Sequence, residues 1–132
     1  MLRHWSKKTP DRIYLNQPSA DGVNTYTWSK VYDEVARMAA YLSQYPKGSH
    51  IAILSLNCCH WLMADLAIQM AGNVTIPIYP TASKTTIKKI LQHSGSKALF
   101  VGKLLDADRI MPQLPEQISL IGMYQKHPNM PY

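Results

Sequence analysis

Hydrophobic residues dominate residues 49–80, and their pattern predicts a strand, a helix and a second strand. The first strand, residues 50–55, is a short apolar run typical of a strand buried on both faces of a parallel sheet. The helix, residues 58–71, is apolar on nearly every side, so it must be covered from several directions. The second strand, residues 74–79, is β-branched and apolar. Two strands joined by one helix predict a parallel right-handed crossover.

Polar capping residues mark the ends of three predicted helices. Asn57 is expected to cap the start of the central helix, and Gly72 and Asn73 are expected to end it. Thr27 precedes a long helix whose apolar residues recur at steps of three and four: Trp28, Val31, Val35, Met38, Ala39 and Leu42. Ser83 precedes a shorter helix over residues 84–93, whose apolar stripe is Ile87, Ile90 and Leu91. Both flanking helices are therefore expected to bury one face.

Shorter elements are predicted on both sides of these helices. Further strands are predicted at residues 12–17, 23–26, 97–101 and 119–123. The first two of these strands form a hairpin closed by a turn over residues 18–22. Short helices are predicted at residues 1–8 and 104–111. This alternation predicts an α/β fold with a largely parallel sheet and flanking helices.

Composition adds only broad limits to this picture. The chain has 132 residues, of which 46% are hydrophobic and 17% charged, so it can fold as one domain and is not a disordered sequence. Its net charge of +6 could favour an anionic partner. The lysines are scattered, however, and the simpler interpretation is that they keep the surface solvated.

Two neighbouring cysteines and the absence of long apolar runs indicate in which cellular compartment the protein is expected. Cys58 and Cys59 lie in an apolar helix, which indicates two small buried side chains rather than a disulfide or a metal pair. This usage indicates a reducing, cytoplasmic compartment. Residues 1–12 do not resemble a signal peptide. No apolar run reaches the roughly 20 residues of a membrane span, so we expect a soluble chain or one that contacts a membrane peripherally.

The loops that follow the predicted strands are the first place to look for a ligand, because parallel sheets bind ligands beyond the carboxyl ends of their strands. The loop at Leu56 and Asn57 has no glycine, and neither GxGxxG nor GxxxxGK[ST] occurs in the chain, which disfavours a dinucleotide or P-loop site. The loop YPTASKTT, residues 79–86, offers hydroxyls, Lys84 and a helix start that could attract an anion. The simpler alternative there is a strand-to-helix turn capped by Ser83.

No catalytic, cofactor-binding or metal-binding residue emerges from the sequence. His60 and Asp65 are five positions apart on one helix and face different directions. Ser55 lies in no GxSxG motif. The histidines show no metal-ligand spacing: His4, His50, His60, His93 and His127. The lysines of the helix after Ser83 have no interleaved aromatics, so no nucleic acid partner is predicted: Lys84, Lys88 and Lys89.

Several stretches taken together resemble one known family. These stretches are HWSKKTPDRIYLNQP, YTWSKVYDEVARMAAYL, GSHIAILSLNCCHWLMADLAIQMAGNVTIPIYPT and ILQHSGSKALFVGKL, and the resemblance covers about residues 5–105. In their order and spacing they resemble the N-terminal part of the adenylate-forming acyl-CoA synthetases. The YPT, HSGSK and LFVGKL segments are most similar to the long-chain fatty acid members. His60 departs from the family's pattern, because the family often carries an acidic residue at this position, just before the tryptophan that is Trp61 here.

This resemblance implies an ATP-dependent ligase that forms an acyl-adenylate and then an acyl-CoA, with magnesium at the nucleotide. The family's phosphate loop, of the type TSGTTG, does not occur in these residues, and neither do its later nucleotide motifs or its C-terminal lysine. The resemblance therefore assigns residues 1–132 to part of an AMP-binding domain: a helix end and hairpin at 1–26, an α/β core at 27–101 and an incomplete tail at 102–132. We expect no activity or cofactor on this stretch alone. Its expected partners are the rest of the synthetase chain and, in the complete enzyme, ATP, magnesium, coenzyme A and a fatty acid.

Two other functional hypotheses remain open at this stage. The first is a non-enzymatic module that binds a partner or lipid through an unpaired sheet edge and apolar surface. The second is a small independent nucleotide binder of α/β type.

Overall fold

A four-stranded parallel sheet forms the centre of the computed structural model, which describes residues 2–19, 22–102, 104, 114 and 118–122. Its strands, in spatial order, are β4 (Val74–Ile78), β3 (His50–Leu54), β5 (Ala98–Val101) and β6 (Ser119–Gly122). Each neighbouring pair is parallel. Strand β3 lies between two others, and its residues Ile51–Leu54 are fully buried. The predicted α/β architecture and the doubly buried central strand are both confirmed.

Among the described elements, two helices cover one face of this sheet and one helix covers the other. Helices α2 (Trp28–Leu42) and α3 (Cys59–Met70) share a core with Ile51, Ile53 and Phe100. Helix α4 (Lys84–Ser94) shares a second core with Ala52, Leu54 and Leu99. The two sets of strand residues alternate because successive side chains of a strand point to opposite faces.

The N-terminal residues form a helix and a separate two-stranded sheet. Helix α1 (Leu2–Lys8) buries Leu2 against the core that contains α2. Strands β1 (Ile13–Ser19) and β2 (Gly22–Thr27) pair antiparallel. The pairing is irregular between Ile13 and Leu15, and Tyr26 is buried on the side of the hairpin that faces the core. The hairpin therefore extends the helical layer of α2 and α3 rather than the parallel sheet.

The predicted caps of α2 and α4 are confirmed. The Thr27 hydroxyl accepts a hydrogen bond from the Lys30 amide at 3.2 Å, and the Ser83 hydroxyl accepts one from the Thr86 amide at 3.2 Å. These bonds satisfy amides that have no partner within the first turn of a helix. Gly95 ends α4 in the left-handed conformation, at a φ of 63°.

The predicted cap of α3 is wrong. The helix begins at Cys59, so its N-cap residue is Cys58, and the side chain of Cys58 makes no capping bond. Asn57 is exposed and lies one position too early to reach the first amides of the helix. Gly72 follows the helix at a φ of 79°, as expected of a residue that stops it.

Element boundaries differ from the predictions by one or two residues in several places. Strand β1 continues through Pro18, where a turn was expected, since a two-stranded sheet leaves backbone groups along its outer edges unpaired and so tolerates a proline. Strands β3 and β4 each end one residue earlier than predicted. The predicted strand at residues 119–123 is present as β6. Apart from Leu104, the helix predicted at residues 104–111 lies outside the described residues, as does the tail beyond residue 122.

Candidate functional site

The carboxyl edge of the parallel sheet is the place where this fold would hold a ligand. Three connections meet there, after β3, after β4 and after β5. The Gly102 amide donates to the Leu54 carbonyl at 3.1 Å, which fastens the end of β5 to the end of β3. Ser55 follows β3 and is buried. Its hydroxyl donates to the Leu56 carbonyl at 2.8 Å, so this side chain helps to hold the shape of the connection.

The start of α3, beside this edge, is occupied by a side chain from the N-terminal hairpin. The Cys59 amide donates to Gln17 Oε1 at 2.8 Å, and Gln17 is only 6% exposed. A helix N-terminus attracts anions through free amides and the helix dipole. Gln17 takes one of those amides and covers the position, so α3 does not present an open anion site.

The loop after β4, the better candidate from sequence, is a capped turn. The Ala82 amide donates to the Tyr79 carbonyl at 3.0 Å, which closes the turn. Besides accepting from the Thr86 amide, the Ser83 hydroxyl lies 2.9 Å from the Thr86 hydroxyl. The simpler alternative, a strand-to-helix turn with a serine cap, is therefore confirmed. Tyr79 is 82% exposed at the entrance of this turn.

His60 and Asp65 have separate partners, as their spacing predicts. The Asp65 carboxylate accepts from the Thr75 hydroxyl at 2.7 Å, which ties α3 to the neighbouring strand β4 rather than to a loop. His60 lies on the opposite flank of the helix. Its Nε2 is 4.0 Å from a carboxylate oxygen of Glu34 on α2, and its ring meets that of Tyr26 edge-on at 5.7 Å.

Burial sets the protonation of the two titratable side chains near the start of α3. Desolvation lowers the pKa of His60, and the charge of Lys30 lowers it further, against the opposing effect of Glu34. Burial also raises the pKa of the Cys59 thiol, with a smaller contribution from Cys58. A neutral imidazole and a protonated thiol are therefore the favoured forms near neutral pH. Neither group has the environment of an activated nucleophile.

Within the described residues, no group of three or more His, Cys, Asp or Glu side chains could hold a metal ion. No helix in the same part of the chain is long and apolar enough to cross a membrane. In the described part of the carboxyl edge, the helix starts are capped and the turns are closed by hydrogen bonds, and these residues offer no exposed set of reacting groups.

Sequence reasoning missed two contacts that shape this edge, the cap of α3 by Gln17 and the approach of Glu34 to His60. Each joins residues that are far apart in the chain, 42 positions for the cap. A local pattern cannot reveal a partner at that separation. The only signal for Gln17 was a polar residue at a position of the hairpin that alternation assigns to the buried face.

Comparisons with known proteins identify the class of this fold. The crystal structure of the N-terminal domain of FACL13 from Mycobacterium tuberculosis matches with a TM-score of 0.78 and 22% identity, over 92% of this chain and 32% of that chain. The parallel sheet with its flanking helices is the fold of the N-terminal domain of adenylate-forming enzymes. The family "AMP-binding enzyme" matches residues 2–129. The chain belongs to that family.

Curated relatives are named as ligases of different acids. The 3-[(3aS,4S,7aS)-7a-methyl-1,5-dioxo-octahydro-1H-inden-4-yl]propanoyl:CoA ligase of Rhodococcus jostii (strain RHA1) is 37% identical over 93 residues, 68% of this chain and 18% of its own. The butyrate–CoA ligase AAE11, peroxisomal, of Arabidopsis thaliana is 30% identical over 125 residues, 92% of this chain and 21% of its own. The long chain acyl-CoA synthetase 6, peroxisomal, of the same plant is 28% identical over 91 residues, 65% of this chain and 13% of its own. The chain spans about a fifth of the length of the first two relatives.

Proposed function

We propose that this chain is an N-terminal scaffold segment of an ATP-dependent long-chain fatty acid:CoA ligase, and that it does not catalyse adenylation by itself. The observation that carries the proposal is the extent of the family match, which runs through residues 2–129 yet corresponds to about a fifth of the relatives. The relatives named above are CoA ligases or an acyl-CoA synthetase. The long-chain preference rests on the YPT, HSGSK and LFVGKL segments.

In the proposed reaction of the complete enzyme, a fatty acid carboxylate attacks the α-phosphate of ATP. The products of this step are an acyl-adenylate and pyrophosphate. The thiol of coenzyme A then attacks the acyl carbon and displaces AMP. Magnesium would neutralise phosphate charge in the first step. We assign no residue of this chain to either step.

The described residues do not fit a nucleotide or its magnesium. A phosphate cradle needs several free backbone amides, which glycines allow to approach the anion closely. Here one amide at the start of α3 is taken by Gln17 and one at the start of α4 by Ser83. The loops that precede the two helices contain no glycine. The proposed role is therefore mechanical: the sheet and its covered helices hold in place the parts of the enzyme that bind ATP, coenzyme A and the acyl group.

A pyrophosphate-release assay tests the claim of inactivity. The purified chain, given ATP, magnesium, coenzyme A and either palmitate, butyrate or benzoate, should release no pyrophosphate beyond the acid-free reaction. The Arabidopsis butyrate–CoA ligase serves as the positive control in the same buffer. Acyl-dependent release by the chain alone would contradict the proposal.

A chimera tests the scaffold role directly. Residues 2–129 of this chain would replace the matching segment of the butyrate–CoA ligase, whose match spans 125 residues. A scaffold should leave butyrate-dependent pyrophosphate release measurable, while a matched chimera carrying Phe100→Asp should lose it because a buried charge disrupts the core. A well-folded chimera without activity would show that the segment contributes more than support.

The acyl preference needs a separate measurement. In the protein that contains this segment together with the rest of the family domain, we expect a higher kcat/KM for palmitate than for butyrate or benzoate. A preference for butyrate or benzoate would refute the long-chain proposal and leave the CoA-ligase proposal in place. The proposed cytoplasmic location is checked by imaging a tagged protein; two of the relatives carry the word peroxisomal in their names.

One observation favours a second candidate function, a non-enzymatic binding module. Strand β4 is at the edge of the described sheet; Val74, its first residue, and Tyr79, the residue after it, are exposed. Exposed edges and apolar side chains invite association. Size-exclusion chromatography of the purified chain distinguishes the cases: a compact monomer that binds no hydrophobic dye would count against a binding module, and concentration-dependent association would support it.

A further inference from the structure

Helix α1 and the loop after it carry a cluster of positive charge on the outside of the fold. Within residues 2–13 there are four basic side chains and one carboxylate, Asp11. All four basic side chains are exposed: Arg3, Lys7, Lys8 and Arg12. We call these four residues, together with Trp5 and Ile13, the α1 surface. It concentrates much of the chain's net charge of +6 in a short segment.

The helix is oriented so that its basic residues point away from the core. Leu2 is buried against α2, which fixes the inward side of α1. At 100° per residue, Arg3, Lys7 and Lys8 fall on the outward half of the helix, and Trp5 falls at the boundary. The apolar side of α1 therefore packs on the protein, and the side that faces outward carries cations, with an aromatic residue at its edge.

Trp5 is held at this boundary by other side chains. Its ring is 37% exposed and lies 6.0 Å from the ring of Trp28, which in turn stacks on Tyr14 at 3.8 Å. The Lys8 ammonium lies 5.5 Å from the centre of the Trp5 ring. An amphipathic indole beside a lysine is typical of the interface between water and lipid headgroups.

The loop that carries Arg12 is fastened to the start of α2. The Trp28 amide donates to the Arg12 carbonyl at 3.0 Å, and the Ser29 amide donates to the Pro10 carbonyl at 3.1 Å. Ile13, the next residue, is 58% exposed. The loop and the helix are thus both fastened to α2 and together carry cations and apolar side chains.

We propose that the α1 surface binds the surface of a bilayer that contains anionic phospholipids. Charge complementarity selects the partner: basic side chains near an anionic headgroup region each contribute to attraction, and Trp5 and Ile13 supply apolar contacts at its boundary. The proposal concerns the outer side of α1 and the loop after it, not the loops that follow the parallel strands. It does not depend on the function proposed above.

The same observations make a nucleic acid a poorer partner. Single-stranded nucleic acid binds where bases can stack on free aromatic faces. Here Trp28 and Tyr14 stack on each other, and Lys8 lies over Trp5. Helix α4 provides an internal contrast, because it is also basic but packs on the opposite face of the sheet and carries no aromatic residue.

Vesicle cosedimentation tests the proposal. The purified chain is mixed with vesicles of phosphatidylcholine alone or of phosphatidylcholine with phosphatidylserine, at low and high salt. Binding should require phosphatidylserine and weaken with salt. Each basic side chain should change the partition coefficient roughly fivefold, so Lys7→Gln with Lys8→Gln should lower it on the order of 20-fold. The matched control, Lys88→Gln with Lys89→Gln, removes the same charge from α4 and should change it less than about twofold.

Tryptophan quenching tests the orientation on the membrane. Brominated phosphatidylserine vesicles should quench part of the fluorescence of the chain, and Trp5→Phe should abolish that quenching while circular dichroism shows an unchanged fold. Trp28 and Trp61 remain as unquenched internal references. Three results would overturn the proposal: no binding to anionic vesicles at low salt, an equal loss in the α4 pair, or tighter binding to a single-stranded RNA oligomer than to vesicles.

Discussion

The two faces of the parallel sheet are covered in different ways. On one face, α2 and α3 pack side by side, with α1 and the hairpin beyond them, over Ile51, Ile53 and Phe100. On the other, α4 lies over Leu54 and Leu99. On the two-helix face α3 also packs against α2, whereas α4 has an outer side of exposed lysines.

This difference explains why α3 and α4 have such different hydrophobic patterns in the sequence. Helix α3 touches the sheet, α2 and the hairpin, so apolar residues occupy nearly all of its sides. Helix α4 needs only a stripe, formed by Ile87 and Leu91, and the remaining positions are polar. The hydrophobic pattern of a helix therefore reports how many neighbours it has, and here it separates a central helix from a peripheral one.

The largest effect is expected for a large-to-small substitution under the two-helix face. Phe100→Ala should lower the free energy of unfolding by about 4 kcal/mol, because it removes a fully buried ring and leaves a cavity. Leu91→Ala under α4 should cost only about 2 kcal/mol, because it removes a smaller side chain and the exposed side of α4 lets the site collapse. Urea unfolding followed by circular dichroism measures both. If Leu91→Ala costs as much as Phe100→Ala, the proposed difference between the two faces is wrong.

The next effect concerns the bond that joins the hairpin to α3. Gln17→Ala should lower the free energy of unfolding by about 2 kcal/mol, because the buried Cys59 amide loses its partner. Asn57→Ala is the control: the exposed Asn57 does not cap the helix, so its removal should cost less than about 0.5 kcal/mol. The same urea experiment applies. A larger loss of unfolding free energy for Asn57→Ala than for Gln17→Ala would instead support Asn57 as the cap of α3.

A smaller effect is expected at the start of α4. Ser83→Ala removes the hydroxyl that accepts from the Thr86 amide and should cost about 1 kcal/mol. The exposed Thr85, one position into the same turn, provides the control, and Thr85→Ala should be nearly neutral. Equal losses for the two variants would mean that the cap contributes nothing beyond helix propensity.

The smallest effect is expected from the half-buried His60 of the two-helix face. Burial lowers the pKa of His60 in the folded chain, so between that value and its ordinary pKa near 6.5 the unfolded chain binds more protons. Stability due to His60 should therefore be highest above about pH 6.5 and fall as the pH is lowered through the folded value. Urea midpoints at several pH values measure this. His60→Gln should reduce this change of stability with pH, whereas His93→Gln on the exposed side of α4 should not. The reverse result would assign the pH dependence of stability to the other face of the sheet.

The sequence by itself determined the elements and the class of fold. Apolar residues at helical spacing, together with capping residues, predicted α2 and α4 with their caps at Thr27 and Ser83. The apolar run at 50–55 predicted the central strand. These features follow from local rules, because a periodicity or a cap involves residues only a few positions apart. The strand-to-helix turn after β4 could also be predicted from the sequence, because Ser83 and the turn residues before it are enough to indicate it.

The contacts at the start of α3 could be seen only in the tertiary structure. Cys59 begins that helix, Gln17 caps it and Glu34 approaches His60, although nothing near these residues in sequence indicates the contacts. The order of the strands in the sheet and the assignment of two helices to one face also came from the structure. The physical reason is the same in each case: packing brings together groups that are distant in the chain, and burial then makes their hydrogen bonds and charges matter.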